Sequence, residues 1–558
     1  MTDFDDLDEL NEVRIPLTRD ADDIIDEETT TVGLLEELDV SGYKSRDGYA
    51  GSAKGEPFEP MFKAVLYREL EDLSDPELRR RLDDAETAVA LGFDPDDVPR
   101  RSTFYRARTD RFEELKRTIE IATRQIRRMA LERGSPIGPA LTPKDSDGVS
   151  KRTEQRLIRE KTKEIIDRME WLVYPAFNLP RPDDPIYDEE ELLKMETVMG
   201  IKQSAANDGG INYGDLLAKE KDIDPDDPFY EDGPTGETLL EDIKQMEPEA
   251  ISEMVNQALA RIFPRIKPYE EFPEPVMVAV DVTYVAYYGN RDELMRVTGA
   301  PKDKEYDWCY KFATANIVGD AVRLPVAMLP VGEAHHHDTD AYPGEDKSYR
   351  PGNVMRNLLD IATDHVKVRC VLADREFYAA DVIAALEEHR LRYVIPVPED
   401  DRIGRFADTI DKVTVRDEYA LYGPTKGGVT NDRVVTTLVG LPSDDAYDDE
   451  QVFATNLDVD DEIGIDRRST KRRINRYQRR GGIETSYKKI KEFAAWTTSK
   501  EFPVRLFHFG FAVILYAMWL LVDFLVQTSL DVVEYRVKPR VTAQRFRNFL
   551  NQKLVRLI

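Results

Sequence analysis

The chain has 558 residues, with 109 acidic against 78 basic side chains and a formal net charge of −31. That length allows several domains, and 41% hydrophobic with 9% aromatic residues excludes a wholly disordered chain. Two cysteines, Cys309 and Cys370, exclude a disulfide scaffold and fit a reducing cytoplasm.

Residues 1–40 carry 15 acids and 2 bases and read as an acidic disordered tail. The opening MTDFDDLDELNE has neither a basic start nor an apolar run, so no signal peptide is expected. Residues 41–135 read as a helical domain. FEPMFKAVLYRELEDL has apolar positions at helical spacing, and Ser74-Asp75-Pro76-Glu77 has the form of a capping box opening a second helix. A third helix is expected from Arg100-Arg101, with Ser102 as its cap. Such a set can be a helix-turn-helix-like DNA-binding unit or a plain packing domain. Residues 136–270 alternate acidic, proline-containing loops (RPDDPIYDEEE, DIDPDDPFYEDGPTGE) with modest helices and read as a linker or insertion.

From Val276 the pattern changes. VMVAVDVTYVAYY, YKFATANIVG and VRLPVAMLPVG are strand-like, with turn residues between them. VMRNLLDIATDHV reads as a helix, VRCVLAD as a strand, AADVIAALEEH as a helix and YVIPVP as a strand. Three strands, a helix, a strand, a helix and a strand is the order of a ribonuclease H-like core, a mixed α/β fold whose sheet is covered on both faces. Residues 271–400 would hold its first part, 401–465 a β-rich insertion and 466–530 its closing helices. In the last of these, FGFAVILYAMWLLV is apolar for 14 residues. A spanning helix needs roughly 20, so a buried core helix is expected and no membrane partner. Trp496, Trp519, Tyr516 and Phe511 read as core aromatics. Residues 531–558 read as a basic tail helix, whose Arg536, Lys538, Arg540, Arg545, Arg547, Lys553 and Arg556 fit either DNA contacts or a solvated face.

Three carboxylates stand out: Asp281 in VAVDVTY, Asp374 at the end of VRCVLAD, and Glu484, at spacings of 93 and 110. Aspartate is a poor strand residue, and a carboxylate among valines is costly to leave unpaired. Two of them on strands that can lie side by side point to a shared cation. Hard oxygen ligands suit Mg²⁺ or Mn²⁺, and three carboxylates are enough for a pair of ions about 4 Å apart. Glu484 lies in a block, 467–491, with 11 bases and this one acid. A basic block kept in so acidic a chain points to a polyanion such as double-stranded DNA. His335-His336-His337-Asp338-Thr339-Asp340 reads as a solvated loop rather than a metal cluster. Glu376 is a candidate to support Asp374.

In this strand order Asp281, Asp374 and Glu484 resemble the catalytic triad of insertion-sequence DDE transposases. Tyr477, Arg480, Glu484 and Lys491 match the signature Y-x2-R-x3-E-x6-K of one large group of them. DREF after the second strand, the β-rich insertion and the run KAVLYRELEDLSDPELRRRL…RRSTFYR are similar to that group as well. The resemblance covers about 58–125 and 275–530. It implies a transposase that cuts DNA at element ends and joins the freed 3′-hydroxyl to target DNA, with two Mg²⁺ or Mn²⁺ ions on Asp281, Asp374 and Glu484, and a homodimer on DNA. It also implies phosphate contacts from Tyr477, Arg480 and Lys491, to which the sequence adds Arg476, Arg479, Lys488 and Arg375. One departure is Gly481-Gly482, where the group often has tryptophan. Glycines weaken a helix by about 1 kcal/mol each, so the helix is expected to begin only near Ile483. The acid excess resembles proteins of salt-loving, haloarchaeal cytoplasms. Two alternatives share these features: a nuclease of the same fold without strand transfer, and a non-catalytic DNA-binding relative of a transposase.

Overall fold

The structure is a computed structural model. It describes residues 16–49, 56–138, 150–331, 351–423, 433–443, 450–530 and 535–556, apart from short breaks at 170, 222–223, 225–232, 270, 273, 290–296, 303 and 320–321. The histidine run 335–337 lies outside the described residues, as do residues 1–15. The chain divides into two units, Met1–Val149 with Arg468–Arg473, and Ser150–Arg467 with Ile474–Ile558.

The first unit is helical and has its own core, which includes Leu34, Phe62, Leu66, Phe104, Ile126 and Ala130. The expected capping box is present: the Glu77 carboxylate accepts from the Ser74 backbone N–H at 2.9 Å. The third helix is Arg101–Arg106 with Arg100, not Ser102, as its cap. The acidic stretch is not a tail from residue 16 onward. Residues 16–24 are helical, Thr31–Glu37 is a helix capped by Thr30, and Leu17, Ala21, Leu34, Leu35 and Leu38 are buried. Its acids lie between those apolar anchors. Arg472, from the basic block, belongs to this unit, donating to the Ile24 carbonyl at 2.7 Å and the Glu37 carboxylate at 2.8 Å.

The second unit is built on one mixed sheet. Its described strands are β1 Val276–Tyr287, β2 Thr298–Gly299, β3 Trp308–Val318, β4 Pro325–Val331, β5 Val368–Ala373, β6 Arg392–Pro396, β7 Thr414–Tyr422, β8 Arg433–Leu441 and β9 Gln451–Thr455. Their order is β2-β3-β1-β5-β6-β9-β8-β7, with β4 also paired to β3. β3 pairs antiparallel with β1 and with β4, β5 and β6 run parallel to β1, and β7, β8 and β9 pair antiparallel in turn. Helices Pro351–His365 and Ala380–Glu388 make the two crossovers, as the sequence order predicts. The β-rich insertion extends the same sheet through β9, which pairs antiparallel with β6.

Residues 150–270 are not a linker. They form helices including Lys151–Arg168, Glu189–Lys202, Ala206–Lys221 and Pro248–Ala260, and they share one core with the sheet. In Glu189–Lys202 every residue from Leu192 to Ile201 is buried. A helix buried all round shows no amphipathic stripe, which hid its place in the core. Its neighbour is the long helix Phe502–Thr528. Among the described residues this is the one helix long and apolar enough to cross a membrane, and 94% of its apolar window is buried inside the protein. It is the central core helix. Trp519, Tyr516 and Phe511 are buried on it, whereas Trp496, in the loop before it, is 58% exposed. The C-terminal helix Ala543–Arg556 buries Phe546, Leu550 and Leu554, and Arg547 pairs with Glu492 at 3.1 Å.

Candidate active site

β1 is buried on both faces through Val276–Val280, the environment its valines and alanine require. The parallel register pairs Val278 with Val371, Ala279 with Leu372 and Val280 with Ala373. The paired residues end there: Asp281 follows Val280 in the middle of β1, and Asp374 follows Ala373, the last residue of β5, so the two aspartates are neighbours where β5 ends. One oxygen of each aspartate is held by backbone: Asp281 Oδ1 accepts from Val282 N–H at 2.8 Å, and Asp374 Oδ1 from Arg375 N–H at 2.6 Å.

The third carboxylate arrives on a separate element. Arg476–Arg480 forms a 3₁₀ turn that runs straight into the α-helix Gly481–Lys491. The expected start near Ile483 is therefore too late; the preceding turn supplies the helix with its first hydrogen-bonded residues, and the glycines are carried within it. Ile483, Tyr487 and Ile490 face the core, leaving Glu484 exposed on the opposite side. Tyr487 anchors this helix to β1: its hydroxyl donates to the Asp281 carbonyl at 2.9 Å and lies 2.7 Å from Thr314 Oγ1, which accepts from Asn316 Nδ2 at 2.7 Å. Ser486 Oγ accepts from Tyr516 on the core helix at 2.9 Å. None of Tyr487, Thr314 and Asn316 was singled out from sequence. The available signal was polar residues inside the strand run YKFATANIVG.

All three carboxylates meet Arg480. Its Nη2 lies 3.0 Å from Asp281 Oδ2 and 3.2 Å from Asp374 Oδ2, and its Nη1 lies 3.6 Å from Glu484 Oε1. Burial, the largest influence, raises the Asp281 carboxyl to about 6; Arg480 opposes this and Asp374 adds to it. Tyr477 lies beside Arg480, with its ring 5.4 Å from Phe453. A cleft of about 600 Å³ opens here, lined by Asp374, Arg375, Glu376, Pro396, Phe453, Tyr477 and Arg480 among others. Glu376 accepts from the Tyr284 hydroxyl across the sheet.

The expected cations divide by exposure. Arg375, Lys488 and Lys491 are exposed. Arg476 is buried, and Arg479 reaches back to Met277 Sδ at 3.8 Å. Among the described residues no group of three or more His, Cys, Asp and Glu side chains stands close enough to hold a metal ion unaided. Asp281, Asp374 and Glu484 nevertheless gather hard oxygen donors around one side-chain cation, the donor chemistry that a divalent cation would need if it took that cation's place.

Residues 274–519, which contain all three carboxylates and every strand of the sheet, match the family model described as Transposase DDE domain. No curated protein matches the chain. Among solved structures, the piggyBac transposase synaptic complex with hairpin DNA, determined by cryo-EM, is similar at 12% identity over 72% of this chain and 80% of that chain, with a TM-score of 0.40.

Proposed function

We propose that this chain is a DDE transposase, of the insertion-sequence group with the Y-x2-R-x3-E-x6-K signature, whose residues 271–530 hold a ribonuclease H-like catalytic core. One observation carries the reading: Asp281 and Asp374 are neighbours where β5 ends, and Glu484 converges on the same guanidinium, within the span that matches the transposase domain.

In this reading Asp281, Asp374 and Glu484 would hold two divalent cations, which would supply activation of the attacking oxygen and stabilisation of the leaving one. The rest falls to the chain's own residues. Exposed Arg375, Lys488 and Lys491 bind backbone phosphates and fix the DNA end over the cleft. Tyr487 holds the β1 backbone at Asp281 against the helix that carries Glu484, so the carboxylates keep their spacing. Water attacks the phosphodiester at the element's end, leaving a 3′-hydroxyl. That oxygen then attacks a target phosphodiester, forming a new P–O bond as the target's 3′-oxygen leaves. A homodimer would bring two ends together, and the acidic surface suits high salt.

The test is cleavage and strand transfer on DNA carrying the gene's own flanks, in high KCl with Mg²⁺ or Mn²⁺, comparing the wild-type chain with Glu484→Ala. End-specific nicks and joined products, lost in the variant, are expected. Cleavage without joining would identify a nuclease instead, and binding without chemistry under several salt and metal conditions a non-catalytic relative.

A further inference from the structure

Arg480 stands where the signature leads one to expect a phosphate ligand, yet its guanidinium is already engaged. Its side chain is 12% exposed. A single nitrogen, Nη2, serves both aspartates, and the other edge reaches Glu484. Asp281 Oδ1 and Asp374 Oδ1 each already accept one bond, from the backbone N–H groups of Val282 and Arg375, which fixes both carboxylates in place. The two oxygens that remain, Oδ2 of each, are the ones Arg480 holds. A cation that bridges the pair through Oδ2 competes with Arg480 for those atoms, and one placed on any other lone pair of the two carboxylates meets the guanidinium's positive charge at close range.

We infer that Arg480 is a built-in counter-ion of the site, which keeps Asp281 and Asp374 together in the cation-free protein and which a divalent cation must displace in order to bind. The inference rests on the proposed metal role of these carboxylates. Without a positive charge between them, two neighbouring carboxylates repel at close range, and burial of Asp281 sharpens the repulsion. Displacement is feasible for a physical reason. Arg480 Nε is buried with no hydrogen-bond partner among the described residues, so a guanidinium that swings outward exchanges one unmet donor for a solvated or phosphate-bound one. The cost of displacing Arg480 lowers the apparent metal affinity of the free protein, as any competing closed state does. It would also keep the metal site weak until a phosphate is at hand to receive the guanidinium. Arg480 is then a positioning residue that acts through Asp281 and Asp374.

The experiment is a Mn²⁺ titration of the full-length, DNA-free chain, followed by the electron paramagnetic resonance signal of free Mn²⁺ in high KCl. Wild type is compared with Arg480→Gln, Arg480→Lys and the Asp281→Asn version of each, with circular dichroism to establish folding. High salt and the Asp281→Asn difference separate this site from weak binding to the acidic surface. Wild type should bind weakly, Arg480→Gln about tenfold or more tightly, and Arg480→Lys in between, because an ammonium cannot span all three carboxylates. The gain should vanish with Asp281→Asn. Equal affinity in wild type and Arg480→Gln, both abolished by Asp281→Asn, would overturn the counter-ion role while leaving the metal reading intact. Weaker binding in a folded Arg480→Gln would overturn it too, since Arg480 would then be building the site. If Arg480→Gln does not fold, Arg480→Lys decides the matter: affinity equal to or below that of wild type overturns the inference. No Asp281-dependent binding in any variant would remove the metal reading and this inference with it.

Discussion

Tyr487→Phe removes one oxygen from the most constrained hydrogen-bond chain in the site. Tyr487 is 7% exposed and its partners Asp281, Thr314 and Asn316 are buried as well. Because the Tyr487 hydroxyl donates to the Asp281 carbonyl, the Thr314 hydroxyl, itself accepting from Asn316, donates to Tyr487. The phenylalanine leaves a buried carbonyl short of one donor and the Thr314 hydroxyl without its acceptor. A stranded buried polar group costs about 1–3 kcal/mol. Partial relief by rotation of the Thr314 hydroxyl brings the expected total to about 2 kcal/mol. Denaturant unfolding in high KCl measures it. A cycle with Thr314→Val locates it: removing both partners should cost less than the sum of the single changes. Strand transfer should fall by more than the stability loss explains, since the same hydroxyl ties the Glu484 helix to the strand of Asp281. A Tyr487→Phe protein within 0.5 kcal/mol of wild type, with unchanged single-turnover cleavage, would refute the argument.

Other expectations are equally specific. Burial raises the Asp523 carboxyl to about 6, against the donors that hold it, the N–H groups of Arg540 and Val541 and the Gln527 amide. Folding therefore takes up a proton there: the stabilisation is full below the ordinary value of 3.8 and is lost as pH rises through about 6. The stability of wild type relative to Asp523→Asn should fall by up to about 3 kcal/mol from pH 4 to pH 7, and a pH-independent difference would contradict it. In the first unit, Arg111 grips Asp47 through two nitrogens at 2.7 Å, with side chains 5% and 8% exposed. Arg111→Met should cost about 3–5 kcal/mol, read by unfolding of the full chain. The Arg111 hydrogen bonds hold the Asp47 carboxyl below its usual range, so this contribution is present at neutral pH and fades only as pH falls below the ordinary carboxylate value. Gly200→Ala would set a Cβ 2.6 Å from Leu515 Cδ1 and 2.7 Å from the Phe493 carbonyl. The carbonyl cannot swing away, so a loss of about 1–3 kcal/mol is expected, and a neutral variant would show the helices free to part. Lys491→Ala should lower DNA affinity evenly across sequences and reduce the salt slope by about one, whereas a sequence-dependent loss would mark a base contact.

Asp281 and Asp374 were legible because an aspartate in a valine-rich strand needs a reason. Their juxtaposition was not, because β1 and β5 are joined through three more strands and a crossover helix, and register follows from side-chain packing that spacing does not encode. The helices of 150–270 were read as modest, and their place in the core was not legible, for the opposite reason: in a helix such as Glu189–Lys202, burial on every side erases the periodicity that shows which face is buried. Composition misled at 16–40, where a high acid count outweighed the few leucines that in fact anchor the segment.

The basic block shows how one compositional signal can divide among different physical tasks. Its 11 bases look alike in sequence, and the net charge of the segment argues for a polyanion. In the folded chain Arg472 satisfies an acidic stretch of the first unit, Arg476 is buried, and Arg480 neutralises three carboxylates. Those charges are spent on the protein's own acids and interior. The exposed remainder, with Lys488 and Lys491 on the helix of Glu484, is what the proposed function would use to release counterions from DNA. In the proposed reading, a strongly acidic chain supplies positive charge twice, once to hold its own clustered carboxylates together and once to meet DNA. The clustering of arginine and lysine around Glu484 follows from both demands falling on one short segment.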